Sequence, residues 1–331
     1  YNNHYYLMFL LNWIMVFVPA NRRFSIDAKQ NPEIYSNKVS QWVPLLFIIQ
    51  IGSVYTYAAI AKLYPGWLDL TVPNSILSTP RNWPYIGKIF EPNFNAYAVA
   101  YVGIFYDLLV VPALLWKPTR RFAFAFSVFF HLFNSIVVQV GVFPYMALGF
   151  CVFFFPPYTL HRVFRIKIQE VYAGDEIIAP KHHKFSTIIL SLYIIIQVAL
   201  PLRHWAIKDD VLWTDEGHKM SWRMMLRSRS GVLRIWVENK ETGERTRYRY
   251  RDRMTNKQAR VMSANADMIW QFSQKLGKEL GPEYAIYVDS KLSINGGTLH
   301  PFIDPNQDMA EAKWNYFGHN EWILPSPESY K

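Results

Sequence analysis

Residues 42–67 read WVPLLFIIQIGSVYTYAAIAKLYPGW. From Trp42 to Ala61 there is no charged residue, and at helical rise this run is about 30 Å long, enough to cross the hydrocarbon core of a bilayer. A lone cation, Lys62, stands at its end. Two roles are open to it. The ammonium can snorkel to the headgroups, as lysines near helix ends commonly do. Alternatively it can turn inward, where desolvation favours the neutral amine and makes it a usable base.

Working outward from this run, the composition places the chain in the membrane class. Half of it is hydrophobic (51%) and 17% is aromatic, concentrated in long stretches. The mean hydropathy of −0.01 averages two unlike parts. Residues 1–211 hold the apolar runs, with 17 Lys+Arg against 10 Asp+Glu, and residues 212–331 are polar, with 18 against 15. Most of the +10 excess therefore lies in the membrane part, where loop charge sets orientation, so it does not indicate nucleic-acid binding. The single cysteine, Cys151, excludes an internal disulfide and a cysteine-rich metal site. The chain opens at Tyr1 within an apolar segment without an initiator Met, and is expected to be a fragment with spans missing upstream.

The expected fold is a membrane α-helical bundle of about six spans, residues 1–205, followed by a small extracytoplasmic α+β domain, residues 212–331. The spans are placed at Tyr5–Pro19, Trp42–Lys62, Asn95–Trp116, two short ones within Phe122–Pro157 divided at Gly141–Pro144, and Phe185–Leu202. Tyr64–Asn93, rich in Pro, Trp and Asn, reads as an irregular interfacial loop. The connections 20–41, 117–121 and 158–184 carry 4, 3 and 5 basic residues, whereas 64–94 has only Arg81 and Lys88. The positive-inside rule then makes the first set cytoplasmic and sends residues 212–331 to a periplasm or lumen. In that part Val232–Glu238 and Thr246–Tyr250 read as strands around a turn, Asn256–Leu280 as a helix and Tyr284–Asp289 as a strand.

Several polar residues lie within apolar runs: His4 before the first, Asp107 in mid-span, and His131, Asn134 and Ser135 in FFHLFNSIVV. Polar groups in hydrocarbon cost free energy unless paired, so they should face the bundle interior. On this topology His4, Lys62, His131 and Asn134 share the outer half of the membrane and could form one pocket. Asp107 reads first as interhelical glue. His182 and His183 read as solvated loop residues without a second ligand pair, and no metal site is expected. Arg245, Arg247, Arg249, Arg251 and Arg253 alternate, which would put five cations on one strand face; the plain reading is a solvated face, the sharper one contact with anionic lipid or an acidic peptide. No phosphate loop, Ser triad or zinc pattern is present.

Certain stretches, taken in order, resemble the vitamin K-dependent gamma-carboxylase family, whose membrane part is also called the horizontally transferred transmembrane domain. NNHYYL around His4 is similar to Asn-Asn-His-Ser-Tyr-Leu, and FSIDA (Phe24–Ala28) to Trp-Ser-Val-Asp. Ala61–Leu63 matches Lys-Lys-Leu at its second lysine, and Phe130–Leu148 resembles Phe-His-Cys-Met-Asn-Ser followed by Gly-Met-Phe. SWRMMLRSRS (Ser221–Ser230) resembles Ser-Trp-Asp-Met-Met-Val-His-Ser-Arg-Ser, and SINGGTLHPFIDPNQD the Ser-Ile-Asn and Phe-Asp-Pro stretches of the lumenal domain. Each motif alone is weak, but their order and spacing are specific.

The resemblance implies an integral-membrane enzyme, in the carbon–carbon lyase class, that oxygenates reduced vitamin K to its epoxide and uses the strong base so formed to carboxylate peptide glutamate. Dioxygen and carbon dioxide are the implied co-substrates, membrane lipid and a glutamate-containing protein or peptide the implied partners. Lys62 is implied as the catalytic base, His4, His131 and Asn134 as quinone contacts, and Trp222, Met224, Met225 and Arg229 as contacts to the glutamate substrate. The chain departs from the pattern where the family has Tyr-Gly-Tyr and this chain has His218, Lys219 and Met220, where Arg223 replaces an Asp, and where Arg227 replaces a His. These changes fall on the peptide side. Epoxidation without carboxylation and a non-catalytic membrane-anchored binding module are therefore the alternatives.

Overall fold

The computed structural model describes residues 2–36, 38–165 and 183–327. Two compact units divide it, residues 1–200 and 201–331. The first is helical among its described residues: α1 (Asn3–Phe17), α2 (Trp42–Ala61), α3 (Thr71–Arg81), α4 (Asn93–Leu115), α5 (Arg120–Phe133), α6 (Phe143–Phe150) and α7 (His183–Leu202), with shorter turns between them. Among the described residues four stretches are long and apolar enough to cross a membrane: Trp42–Ala61, Asn93–Leu115, Arg120–Val138 and Lys184–Trp205. The sequence suggested about six. The difference has two sources, for α1 has 15 residues and the second half of Phe122–Pro157 makes only a short apolar helix, Phe143–Phe154. The basic connection 158–184 falls largely outside the described residues, as does His182.

α2 and α4 form the centre of this unit. α2 buries Val43, Phe47, Gln50, Val54, Ala58 and Ala61, a stripe at helical spacing. Its neighbour buries Ala96, Ala100, Gly103, Asp107, Val110 and Leu114. Small residues on both faces let the backbones approach closely, the usual means of holding helices together where lipid removes the hydrophobic drive. A β-carbon at Gly52 would lie 3.7 Å from Val111, and one at Gly103 would lie 3.8 Å from Trp67 and 4.0 Å from the Lys62 side chain. Residues late in α2 thus face residues early in α4, so the two helices run antiparallel. α7 is held differently. Only 11% of its apolar stretch is buried, and its polar ties include Tyr193 Oη to Gln50 (2.5 Å), Tyr57 Oη to the Val198 carbonyl (2.7 Å) and the Tyr6–Gln197 contact (3.5 Å).

The stretch 64–93 is more ordered than its composition suggests. α3 occupies its middle, burying Val72, Pro73, Leu77 and Pro80 on one side. Its prolines sit in the first turn and at the last one, where a missing N–H is tolerated.

The second unit is an antiparallel four-stranded sheet in the order β2-β1-β3-β4: β1 (Arg229–Asn239), β2 (Arg245–Tyr248), β3 (Tyr284–Ile294) and β4 (His300–Ile303). β1 and β3 pair along their full length, from Arg229↔Ile294 to Asn239↔Tyr284. Helices α8 (Asn256–Ser263) and α9 (Ala266–Leu280) cover one face, enclosing Leu233, Ile235, Ile269, Leu276, Ile286, Val288, Phe302 and Ile323. Each such side chain contributes roughly 1.5–3 kcal/mol by leaving water. The expected single helix 256–280 is two, interrupted at Ala264 and Asn265. Gly231 shows why: a β-carbon there would lie 1.9 Å from the Ser263 carbonyl oxygen, so the end of α8 rests directly on the β1 backbone. The arginine alternation is also corrected, since β2 ends at Tyr248 and Arg251 and Arg253 lie in a 3-10 turn, Tyr250–Arg253.

Candidate functional site

Lys62 caps the C-terminal end of α2, where Pro65 and Gly66 follow and the helix stops. Its side chain does not extend beyond the end. Nζ donates to the Ala58 carbonyl one turn back (3.2 Å) and meets Asp107 Oδ2 on α4 at 2.5 Å, and both side chains are 10% exposed. The Trp67 ring lies 5.5 Å from Nζ and is fixed by donating Nε1–H to the Ala100 carbonyl. The side chain therefore turns inward, not toward the headgroups, and is ion-paired there. Its partner is the residue first read as glue.

A second cluster lies on the same seam. Tyr55 is seven residues before Lys62 on α2, two turns or about 10 Å along the axis, and Tyr106 immediately precedes Asp107. Both phenols reach His131 Nε2 on α5, Tyr55 Oη at 2.9 Å and Tyr106 Oη at 3.1 Å. Phe130 and Phe143 stand edge-on to the imidazole, with centroids 5.6 and 6.0 Å away, and Tyr106 stacks on Phe130 at 3.8 Å. His4 stacks on Phe143 at 5.1 Å. Neutral imidazole offers one donor and one acceptor. With Nε2 engaged, His131 Nδ1 is buried without a partner among the described residues. Leaving such a group unsatisfied costs about 1–3 kcal/mol, which a ligand oxygen would recover.

The sequence-derived pocket is thus brought together in part. Lys62 and His131 occupy neighbouring layers of one seam, and His4 joins through Phe143. Asn134 is half-buried where α5 passes into a single π turn, Asn134–Val138, and it does not hydrogen-bond through its side chain to His131 or Lys62. Ser135 bonds instead to the Tyr145 hydroxyl (2.9 Å). Tyr55 and Tyr106 were not singled out from sequence. Their signal was available in the seven-residue spacing from Lys62 and in adjacency to Asp107.

In the second unit, residues 215–225 pass through the left-handed region at Asp215, Gly217, Met220, Trp222 and Met225. Trp222, implied as a substrate contact, is fully buried, while Met225 is 45% exposed and Met224 intermediate. Two guanidiniums converge on Oδ1 of Asp215: Arg227, in direct contact, and Arg229 at 3.5 Å. Burial alone would raise the Asp215 carboxyl, but Arg227 and Arg229 outweigh it and hold it well below the usual carboxylate range. Burial, with Arg227 adding repulsion, lowers Arg229 to about 9, and burial likewise brings the His218 imidazole down to about 3. The Arg229 side chain is 9% exposed, and its Nε and Nη2, the edge that binds carboxylates bidentately, have no partner among the described residues. Arg223, in place of the family Asp, lies 3.3 Å from His204. Among the described residues no cluster of three or more His, Cys, Asp or Glu could hold a metal.

Two family models match the chain in succession: the HTTM domain over residues 1–158, and the vitamin K-dependent gamma-carboxylase, lumenal domain, over residues 182–329. The chain belongs to the vitamin K-dependent gamma-carboxylase family. No solved structure matches it. In this gamma-carboxylase-family chain, Lys62, Asp107, His131 and His4 all lie within the HTTM match, and Asp215, Arg227 and Arg229 within the lumenal match.

Proposed function

We propose that this chain is a membrane quinol oxygenase that couples oxidation of a reduced naphthoquinone to carboxylation of peptide glutamate. The observation carrying this reading is the Lys62 amine turned back into the helical unit against Asp107, one layer from the unsatisfied His131 nitrogen. His131 Nδ1 suits a quinone oxygen, with His4 and Phe143 forming an aromatic wall and Asn134 a further polar contact nearby. Reduced vitamin K and dioxygen would supply the strong base that removes the γ-proton before carbon dioxide adds. The protein's part is to hold the proton balance. Lys62 and Asp107 together carry no net charge, and the pair can accept one proton from the quinol hydroxyl while Lys62 remains next to the anion it leaves behind. In the lumenal-type unit, the free edge of Arg229 suits the substrate carboxylate, with Met224 and Met225 beside it in the chain. α1 and Phe143–Phe154 complete a multi-pass arrangement in which residues 212–331 are extracytoplasmic.

The test supplies purified protein with reduced vitamin K, dioxygen, labelled bicarbonate and a glutamate peptide, scoring epoxide and fixed label separately. Lys62→Ala should abolish epoxide formation; epoxide at the unsubstituted rate would refute the reading. Epoxide without fixed label would establish a second reading, epoxidation alone. That reading is favoured by Arg227, which stands where the family has a histidine and is engaged by Asp215 and the Val211 carbonyl. Neither product would leave a binding module.

A further inference from the structure

β2 is an edge strand, and its outer side is unpaired among the described residues. The Asn239 amide donates to the Glu244 carbonyl at 3.0 Å, which sets the ladder: Thr246 and Tyr248 turn their backbone groups toward β1, and Arg245 and Arg247 turn theirs outward. The cations here are unequally engaged. Arg245 pairs with Glu238 and covers the Tyr287 ring, and Arg253 pairs with Glu279. Arg247, Arg249 and Arg251 are exposed and have no carboxylate partner among the described residues. On the opposite side of the strand a groove of about 330 Å³ is lined by Val237, Thr246, Tyr248, Leu280 and Tyr284, together with the polar Asn239, Glu244 and Arg247.

We propose that this edge receives an extended peptide carrying carboxylates at every second position with apolar residues between them. A strand added to β2 would complete the outward N–H and C=O groups of Arg245 and Arg247. Its side chains alternate faces, so one set meets Arg247, with Arg249 and Arg251 just past the strand's end, and the other enters the aromatic groove. Cations on an edge strand repel a second copy of the same edge. The same cations attract an acidic strand, so the edge is selective as well as protective. This surface is independent of quinone chemistry and stands or falls separately from the oxygenase reading.

The experiment measures binding of a fluorescent peptide of about eight residues, alternating Glu and Val, to the full chain in detergent. Binding should weaken at least tenfold when salt is raised from about 50 to 500 mM, and at least tenfold in Arg247→Glu/Arg249→Glu, whose melting temperature should be unchanged because both side chains are exposed. A peptide N-methylated on its ladder-forming amides should lose binding while keeping its charge. Equal binding of the N-methylated peptide, or indifference to the double charge reversal, overturns the proposal. So does arginine-dependent binding to anionic vesicles with none to the peptide, which would assign the cations to lipid.

Discussion

Replacing Lys62 by methionine would leave Asp107 alone inside the helical unit. At 2.5 Å and an effective dielectric near 20, Coulomb attraction in the pair is roughly 6–7 kcal/mol. Desolvation of two ions whose side chains are each 10% exposed offsets most of this, leaving the intact pair close to break-even. Removing one partner forfeits the attraction and keeps the remaining desolvation penalty, about 3–5 kcal/mol. Lys62→Met and Asp107→Leu should therefore each destabilise by that amount, and the double variant should recover most of it. The assay is reversible unfolding of the purified chain in mixed micelles, completed as a double-mutant cycle. A coupling below about 1 kcal/mol, or additive losses in the double variant, would refute the argument that the pair is a single buried unit. Epoxide formation in the double variant should be absent although stability returns, which separates the fold's need for the pair from the chemistry's.

Tyr55→Phe removes one of the two phenols on His131 Nε2 and should cost about 1 kcal/mol in melting experiments, while raising the KM for quinol more than it lowers kcat. Gly231→Ala forces a β-carbon against the Ser263 carbonyl and should destabilise the sheet unit by about 1–3 kcal/mol, read as a lower melting temperature. Acidification should weaken that unit in two stages. His218, lowered to about 3 when folded, takes up its proton first in the unfolded chain, so stability falls by roughly 1.4 kcal/mol per unit between about pH 6.5 and 3. Asp215, also lowered, adds a further loss below its ordinary value near 4. His218→Phe should flatten the upper stage in a urea-midpoint series against pH, and an unchanged slope would contradict the burial argument.

The spanning helices and the family motifs were legible because a bilayer demands long uncharged runs and because the motifs keep their order. Which face of each helix turns inward was not. α2 is apolar all round, so only its partner, not its own pattern, shows that Tyr55 and Lys62 lie on the buried side. Lys62 and Asp107 are 45 residues apart, and no local spacing couples them. β4 escaped notice because it is four residues long and begins His-Pro, which reads as a turn. The split between α8 and α9 came from a tertiary cause, the approach to Gly231, that periodicity alone could not supply.

The sparse attachment of α7 carries a thermodynamic corollary. Prising an apolar rod away from its fellows in a bilayer wets nothing, because acyl chains fill the vacated space; the resistance is that of a handful of hydrogen bonds and lost dispersion contacts. For α7 those bonds include ones donated by Tyr57 and Tyr193, with a longer contact between Tyr6 and Gln197. With 11% of its apolar stretch buried, α7 gives up less packing to lipid than the other three long apolar helices, and the flank it covers is the side on which a fat-soluble molecule displaces the least protein contact.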